Sequence, residues 1–263
     1  MKKLIIVMMS LAMVIGISGI AMANGKGLGI SAAGSPHNFV DEITNGAAPV
    51  VGSEDWNNRK EICRVCHVPH DHGRAYKRWT NGLLWNHAVD DTTTFVMYDH
   101  AWSNTLTGIQ SAQPDGTAKL CLACHDGVIA VDSFDKKSGP GNGTGTKTID
   151  GTNWSLGYKV PGYIDGDSSN LRGTHPLSIA FPAGEDGDGK NFNLTTTATW
   201  ANGETVASTL DNGKVQCSTC HDVHDAPGAA MPGTHLLRQY NATAAMGNAD
   251  SGASKLCLTC HIR

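Results

Sequence analysis

The stretch Cys217-Ser218-Thr219-Cys220-His221-Asp222-Val223-His224 places two thiols, an adjacent imidazole and a second imidazole within eight residues. Two cysteines separated by two residues and followed at once by histidine form the attachment signature for c-type haem. The thiols add to the two vinyl groups of the porphyrin, and the adjacent histidine becomes the proximal ligand of the iron. The stretch therefore predicts one covalently bound haem, and it leaves His224 as a further potential ligand.

The same five-residue pattern occurs at three other places, and the four copies use all eight cysteines. The predicted thioether cysteines are Cys63, Cys66, Cys121, Cys124, Cys217, Cys220, Cys257 and Cys260. The predicted proximal histidines are His67, His125, His221 and His261. Zinc sites and disulfides also use Cys-x-x-Cys pairs, but neither explains why a histidine follows every pair. The sequence predicts four covalently bound haem c groups.

The composition is poor in the large apolar side chains that fill a protein core, with 31 glycines and only 6% aromatic residues. Four porphyrins, with their flat apolar faces, can replace that core. We therefore predict a multihaem cytochrome c fold, mostly irregular coil with a few short helices and minimal strand, wrapped around a chain of four haems. We expect a helical turn from Asn57 or Asn58 into Cys63, and short strands at residues 146–149 and 195–200.

An internal duplication organises the chain. His37 precedes the first motif as His175 precedes the third, and His70 and His224 each end a Cys-x-x-Cys-His-x-x-His run. The predicted organisation is a signal peptide at residues 1–23, a first dihaem half at 24–131, a Gly/Ser/Thr-rich connection at 132–171 and a second dihaem half at 172–263. The two halves are expected to form one haem-cored unit. The first half carries extra residues at 92–111, to which the sequence assigns no role.

Histidine is the abundant candidate for the remaining axial position of each iron. Only three methionines follow the signal segment, whereas eight histidines lie outside the motifs, so bis-histidine ligation is favoured over His/Met. The duplication selects His37, His70, His175 and His224 as distal ligands. His87 is the reserve, and the weaker candidates are His72, His100 and His235. We expect His224 to cross to the haem held by Cys257 and Cys260.

The first residues predict export. Lys2 and Lys3 precede an apolar run that ends in Ala21-Met22-Ala23, as in a cleaved signal peptide. A retained membrane anchor is the alternative, and no later apolar run is long enough to span a bilayer. The net charge of −4 argues against a nucleic-acid partner. We expect an extracellular or outer-surface protein, alternatively a periplasmic one.

The two Cys-x-x-Cys-His-x-x-His runs, each followed by a further Cys-x-x-Cys-His, resemble the tetrahaem c-type cytochromes of metal-reducing bacteria. The order of Ser-Pro-His37, Leu-Leu-Trp-Asn-His87, the second motif and Thr-His175-Pro-Leu is similar to their outer-surface members, including OmcE-type nanowire cytochromes. The resemblance covers nearly all of residues 34–263. It implies haems stacked in alternating parallel and T-shaped pairs, and a homopolymer in which an early histidine ligates a haem of the next subunit. By position His37 is that histidine, which would free His87 to act within its own chain.

The leading interpretation is therefore an exported tetrahaem electron carrier without enzymatic activity. It would pass electrons through stacked bis-histidine haems and polymerise into a conductive filament that reaches extracellular electron acceptors. Its partners would be other cytochromes or copies of itself. A discrete periplasmic electron shuttle is the alternative. A reductase with one open haem is less favoured, because the histidines are in surplus.

Overall fold

In the computed structural model, the described residues are 30–31, 37–39, 57, 60–68, 84–99, 101, 106, 108–135, 147–149, 158–162, 167, 169–182, 191–224, 236–239 and 252–262. The predicted signal peptide lies outside them, as does much of the predicted connection at 132–171. The described elements, in chain order, are a 3-10 helix Cys63–Val65, α1 Gly116–His125, β1 Ile179–Ala180, α2 Val206–Thr209, β2 Lys214–Val215, α3 Cys217–Cys220 and α4 Gly252–Cys260. Irregular segments join them.

The helices coincide with the haem motifs. The first motif begins in the 3-10 helix, the second ends α1, the third forms α3 and the fourth ends α4. Residues three apart on a helix share one face, so the two cysteines of each motif project to the same side. Helices this short are marginal in isolation, and their stability must come from packing around the motifs.

The extra residues of the first half, 92–111, contact both the connection and the second half of the chain. Val96 forms a parallel bridge with Asn170, and Gln110 forms an antiparallel bridge with Ile179 of β1. β1 in turn pairs with β2 in antiparallel register, Ile179 opposite Val215. The chain passes so close at Gly108 that a Cβ there would lie 2.4 Å from the carbonyl oxygen of Ala180. The segment thus connects the two halves.

Two apolar clusters form the core, and each contains motif cysteines. The first consists of Phe95, Met97, Ala118, Leu122, Leu171 and Leu177, with Val160 and Cys217 packed against it. The second consists of Val65, Val131, Phe134 and Ile149, with Phe39, Cys66, Cys124 and Tyr158 packed against it. The protein core is therefore built on the attachment helices.

Two of the predicted short elements are wrong. Residues 195–197 are a turn, in which Ala198 N donates to Leu194 O at 2.8 Å, and Thr199 forms only an isolated bridge with Thr205. Residues 147–149 contain no strand, because Lys147 N donates to the Asp132 carboxylate at 3.0 Å rather than to a neighbouring strand. In both places local hydrogen bonds replace the inter-strand hydrogen bonds of the predicted strands.

The turn predicted to run from Asn57 into Cys63 is found in part, since Lys60 N donates to Asn57 O at 2.8 Å and the 3-10 helix begins at Cys63. The Asn57 amide donates to Phe39 O at 3.1 Å instead of capping a helix. Lys60 has a positive φ of 51°, which interrupts a right-handed helix. Asn58 lies outside the described residues. Among the helices that the structure describes, none is long and apolar enough to cross a membrane.

Candidate haem-binding sites

All eight cysteines are free thiols. Burial raises the pKa of Cys66 and of Cys260 to about 12 and the pKa of Cys220 to about 11. Within the described ranges no group of three or more His, Cys, Asp or Glu side chains could hold a metal ion by itself. A haem iron needs only two protein donors, because the porphyrin supplies the other four.

The first three motifs lie beside one another in sequence order. Cys66 and Cys124 pack into one apolar cluster, and their proximity helps to raise the pKa of Cys124, which burial raises most. At the next junction the Cys121 side chain hydrogen bonds to Cys217, and this contact, together with burial, raises the pKa of Cys217. In a haem-loaded protein these sulfur atoms would be the thioether sulfurs.

The fourth motif continues the same series. Cys220 interacts electrostatically with Cys257 and with Cys260, and these interactions add to burial in raising the pKa of Cys220 and Cys260. The four motifs therefore follow one another in space in the order in which they occur along the chain.

Three of the proximal histidines each face one of the predicted distal histidines. The ring pairs are His37–His125 with centroids 6.2 Å apart and planes at 54°, His67–His224 at 6.3 Å and 27°, and His175–His261 at 6.2 Å and 60°. Two metal–nitrogen bonds of about 2 Å each, added to the inner radii of two imidazole rings, give a centroid separation of roughly 6 Å. The spacing of all three pairs fits a metal ion between the rings.

The pair His37–His125 is the most deeply buried. Burial first, and then the proximity of His125, His221 and His224, lowers the pKa of His37 to about 3. Burial also lowers the pKa of His125. Both rings are therefore neutral at physiological pH, which is the form that binds a metal. His125 Nδ1 lies 2.6 Å from Tyr158 O, a contact that orients the ring and leaves Nε2 as the ligating atom.

His37 contains a buried atom without a hydrogen bond. Its Nδ1 has no partner among the described residues, although buried polar atoms are nearly always paired. The ring also contacts Phe39 edge-on, at 5.7 Å between centroids. His37 thus faces a proximal histidine of its own chain, whereas the family resemblance implied a neighbouring subunit.

The pair His67–His224 bears on the prediction that His224 crosses to the haem of Cys257 and Cys260, which stays a prediction. The structure places His224 against the proximal histidine of the first motif. Trp85 packs edge-on against the other side of His67, at 5.9 Å, and Ile30 N donates to His224 O at 2.9 Å. The Asp222 carboxylate accepts from His224 N at 3.0 Å, which holds His224 in the turn that follows the third motif.

The fourth motif is opposite His175 instead. The Nδ1 atom of His175 lies 2.8 Å from Pro176 O, which leaves Nε2 for a ligand. Burial, and then His175, lowers the pKa of His261. Phe192 packs beside His261 at 5.1 Å and also against Phe181 at 5.3 Å. This pair lies in a more exposed part of the molecule than His37–His125.

For the third motif, His221 ends α3 and forms a backbone bridge with Leu237. His70, the fourth predicted distal ligand, lies outside the described residues, as do the weaker candidates His72, His100 and His235. The role of His70 as a distal ligand stays a prediction.

The structure disfavours His87 as an axial ligand. The side chain is completely buried, and its Nδ1 and Nε2 lie 2.8 Å from Ala88 O and 3.1 Å from Val131 O. Burial lowers the pKa of His87, so the ring carries one N–H and both nitrogens face backbone carbonyls. Nε2 is also 3.4 Å from the Cys124 sulfur, which makes His87 a packing residue of the second motif.

A polar network that sequence reasoning missed supports the first motif. Arg64, between the two cysteines, contacts the Asp135 carboxylate through Nε at 2.9 Å, and this hydrogen bond raises the pKa of Arg64. The Asn86 amide also donates to Asp135, at 3.1 Å, and to Arg64 O. The positively charged residue inside the Cys-x-x-Cys spacer was a usable signal, but its partner lies far away in the sequence.

No protein-family model matches the chain, and comparison with curated proteins finds no match either.

Proposed function

We propose that this protein is a tetrahaem c-type cytochrome whose function is electron transfer. The observation that carries the proposal is the common 6.2–6.3 Å spacing of the three histidine pairs, each joining a motif histidine to a histidine outside the motifs. When bound, haem would supply one-electron chemistry. The cysteines would tether it, the histidine pairs would fill both axial positions at three of the four irons, and His70 is predicted to fill the remaining one.

The order of the motifs supports transfer along the chain. Successive motifs contact each other through Cys66 and Cys124, Cys121 and Cys217, and Cys220 and Cys257. The tethers of consecutive haems would therefore be adjacent, and electrons would pass between the first and fourth motifs by short steps. The residues act by position, ligation and burial, and no general base or nucleophile is required.

We further propose that the protein is exported and assembles end to end toward extracellular acceptors. The signal-like N-terminal residues and the family resemblance support this part of the proposal. The second candidate, a discrete periplasmic shuttle, is favoured by one observation: His37 faces His125 of its own chain and does not need a neighbouring subunit to find a proximal histidine.

Expression with a c-type haem maturation system tests the electron-transfer proposal. We expect a haem content of four per chain by pyridine haemochrome assay and a low-spin signal for every haem. Replacing Cys257 and Cys260 by serine is expected to remove one haem, whereas the control Thr259→Ala in the same motif leaves the haem content unchanged. An unmodified chain mass, or a high-spin haem that responds to substrate, would contradict the proposal.

Electron microscopy of the secreted protein separates the two candidates for assembly. Filaments with a repeat of one chain support the extracellular wire. Monodisperse particles over the whole concentration range support the shuttle.

A further inference from the structure

The junction between the second and third motifs differs from the others, because side chains from both halves of the molecule form one continuous hydrogen-bonded network there. It lies at the beginning of α1 and α3, the helices that carry the two motifs. Asp115 immediately precedes α1, and Gln216 immediately precedes α3. We call this network the junction clamp and define it by Asp115, Gln216, Ser178 and Lys214.

Asp115 is bonded through both carboxylate oxygens. Oδ1 accepts from Gln216 Nε2 at 2.7 Å, and Oδ2 accepts from Ser111 Oγ at 2.7 Å and forms an ion pair with Lys214. Burial alone would raise the pKa of Asp115, but the hydrogen bonds from Lys214, Ser111 and Gln216 lower it below its usual value. The side chain is therefore charged at neutral pH, and every contact uses it as an acceptor.

Gln216 completes the clamp from the other half. Its Oε1 accepts from Ser178 Oγ at 3.0 Å, and Ser178 Oγ in turn accepts from Asp115 N at 3.0 Å. Gln216 N donates to Thr219 Oγ1 at 2.9 Å, which fixes the first turn of α3. Gln216, Ser178 and Thr219 are buried, so water does not readily replace these bonds.

A second set of contacts runs parallel to the clamp and leads to the haem tethers. Thr117 N donates to Asp211 Oδ2 at 2.8 Å, and the Thr117 and Ser218 hydroxyls are 2.6 Å apart. Beyond them the Cys121 and Cys217 side chains meet. The two motif helices are thus fixed relative to each other at their first residues and at their cysteines.

We propose that Asp115 is a positioning residue for electron transfer: through Gln216 and Lys214 it sets the distance between the second and third haems, and with it the rate at which electrons cross between the two halves. This inference rests on the proposed tetrahaem function. Asp115 contacts no histidine of the candidate sites, so it acts only through the placement of the two helices.

Asp115→Asn tests the proposal because the substitution keeps the size of the side chain. Asparagine has one acceptor oxygen, and either orientation of its amide places N–H groups against Gln216 Nε2 or Lys214 Nζ, both of which are donors. We expect four low-spin haems, a weaker exciton couplet in Soret circular dichroism, and slower electron redistribution after pulse reduction. The rate should fall by about tenfold, since geometry-dependent rates change steeply with displacements near 1 Å.

The double variant Asp115→Asn/Gln216→Glu provides the rescue. It exchanges donor and acceptor across the clamp, so the asparagine amide again meets a carboxylate and Ser178 again meets an acceptor. We expect Gln216→Glu alone to slow redistribution, because it opposes two carboxylates, and the double variant to recover most of the rate. The matched control is Asp91→Asn, which removes the ion pair of Lys119 on the same helix outside the junction.

The outcomes are distinguishable. A wild-type chain without haem would contradict the proposed function itself. Four haems with an unchanged couplet and redistribution rate in Asp115→Asn would overturn the positioning role, as would an equal effect of Asp91→Asn. Loss of haem in Asp115→Asn and in Lys214→Met, which removes the ion pair with Asp115 and the hydrogen bond to Ser111, would show that the clamp serves folding and would also overturn the proposal.

Discussion

The imidazole rings of His67 and His224 stack at 6.3 Å with their planes inclined by 27°. His67 belongs to the first motif, and His224 ends the run that contains the third. A haem tethered in the first half would therefore take its distal ligand from the second half. The two halves would then interlock through ligation, so a haem-loaded fragment containing only one of them would lack part of its ligand set.

The first prediction concerns which haem His224 serves. His224→Ala is expected to convert one of the four haems to a high-spin form, because it removes one axial ligand. If the haem belongs to the first motif, the high-spin signal will vanish when Cys63 and Cys66 are also replaced by serine. Electron paramagnetic resonance of the ferric protein measures the change.

The matched control combines His224→Ala with serine at Cys257 and Cys260. Here the high-spin signal should persist, since His224 does not face that motif. Disappearance of the signal in this background, and not in the first, would restore the assignment of His224 to the fourth haem.

The second prediction concerns His37. In the isolated monomer, His37→Ala should produce one high-spin haem at every dilution, because the structure pairs His37 with His125 of the same chain. Added imidazole should restore the low-spin spectrum by entering the vacated position. A wild-type protein that becomes high-spin on dilution would instead indicate that the ligand comes from a neighbouring chain.

The third prediction is a pH dependence at Asp90. Burial would raise the pKa of this carboxyl, but hydrogen bonds from Thr93 and Thr92 outweigh it and lower the pKa from 3.8 to about 2. The contribution of the charged group to stability is therefore present above 3.8 and is lost as the pH falls toward 2. Asp90→Ala should lower the free energy of unfolding at neutral pH by about 1–2 kcal/mol, with a smaller difference in acid.

Denaturant unfolding at neutral pH and at a pH below 3.8 checks this expectation. Asp91→Ala is the control: its side chain is 68% exposed and its ion pair with Lys119 lies on the surface, so it should cost less than about 0.5 kcal/mol. An Asp90→Ala deficit that stays constant across the pH range would show that the lost group contributes by packing and not by charge.

The fourth prediction concerns Gly116, where α1 begins. Its φ is 49°, and an added Cβ would lie 2.4 Å from Asp211 Oδ2, the atom that accepts from Thr117 N. Gly116→Ala should therefore lower the free energy of unfolding by roughly 2 kcal/mol or more, from backbone strain and the displaced carboxylate together.

Gly213→Ala isolates the backbone part of that cost, because Gly213 has a φ of 74° and nothing within 4 Å of an added Cβ. Gly213→Ala should lower the free energy of unfolding by about 1 kcal/mol, measured in the same denaturant titration. An equal decrease in the free energy of unfolding in the two variants would mean that the Asp211 side chain moves aside at no cost in stability.

The sequence by itself predicted the covalent chemistry. Cys217, Cys220 and His221 are recognisable because a haem tether and its proximal ligand are local features, five residues long, and no tertiary contact is needed to see them. The histidines that could serve as distal ligands could also be predicted from the sequence, since counting the histidines outside the motifs requires no geometry. The strand predicted at 195–200 failed because β-branched threonines favour strands in general, whereas the local hydrogen bonds of the turn at Leu194 are not visible in a pattern.

Only the tertiary structure decided which histidine faces which. His224 lies close in sequence to the third motif and within the half that holds the fourth, yet it faces His67. Trp85 packs edge-on against His67, and Ile30 N donates to His224 O. Likewise the residues that precede His87 in the sequence made it the reserve distal ligand, but both of its ring nitrogens face backbone carbonyls. Each pair of facing histidines joins residues that are distant in the chain. Which histidines face each other therefore depends on the packing of the whole fold and not on any local pattern.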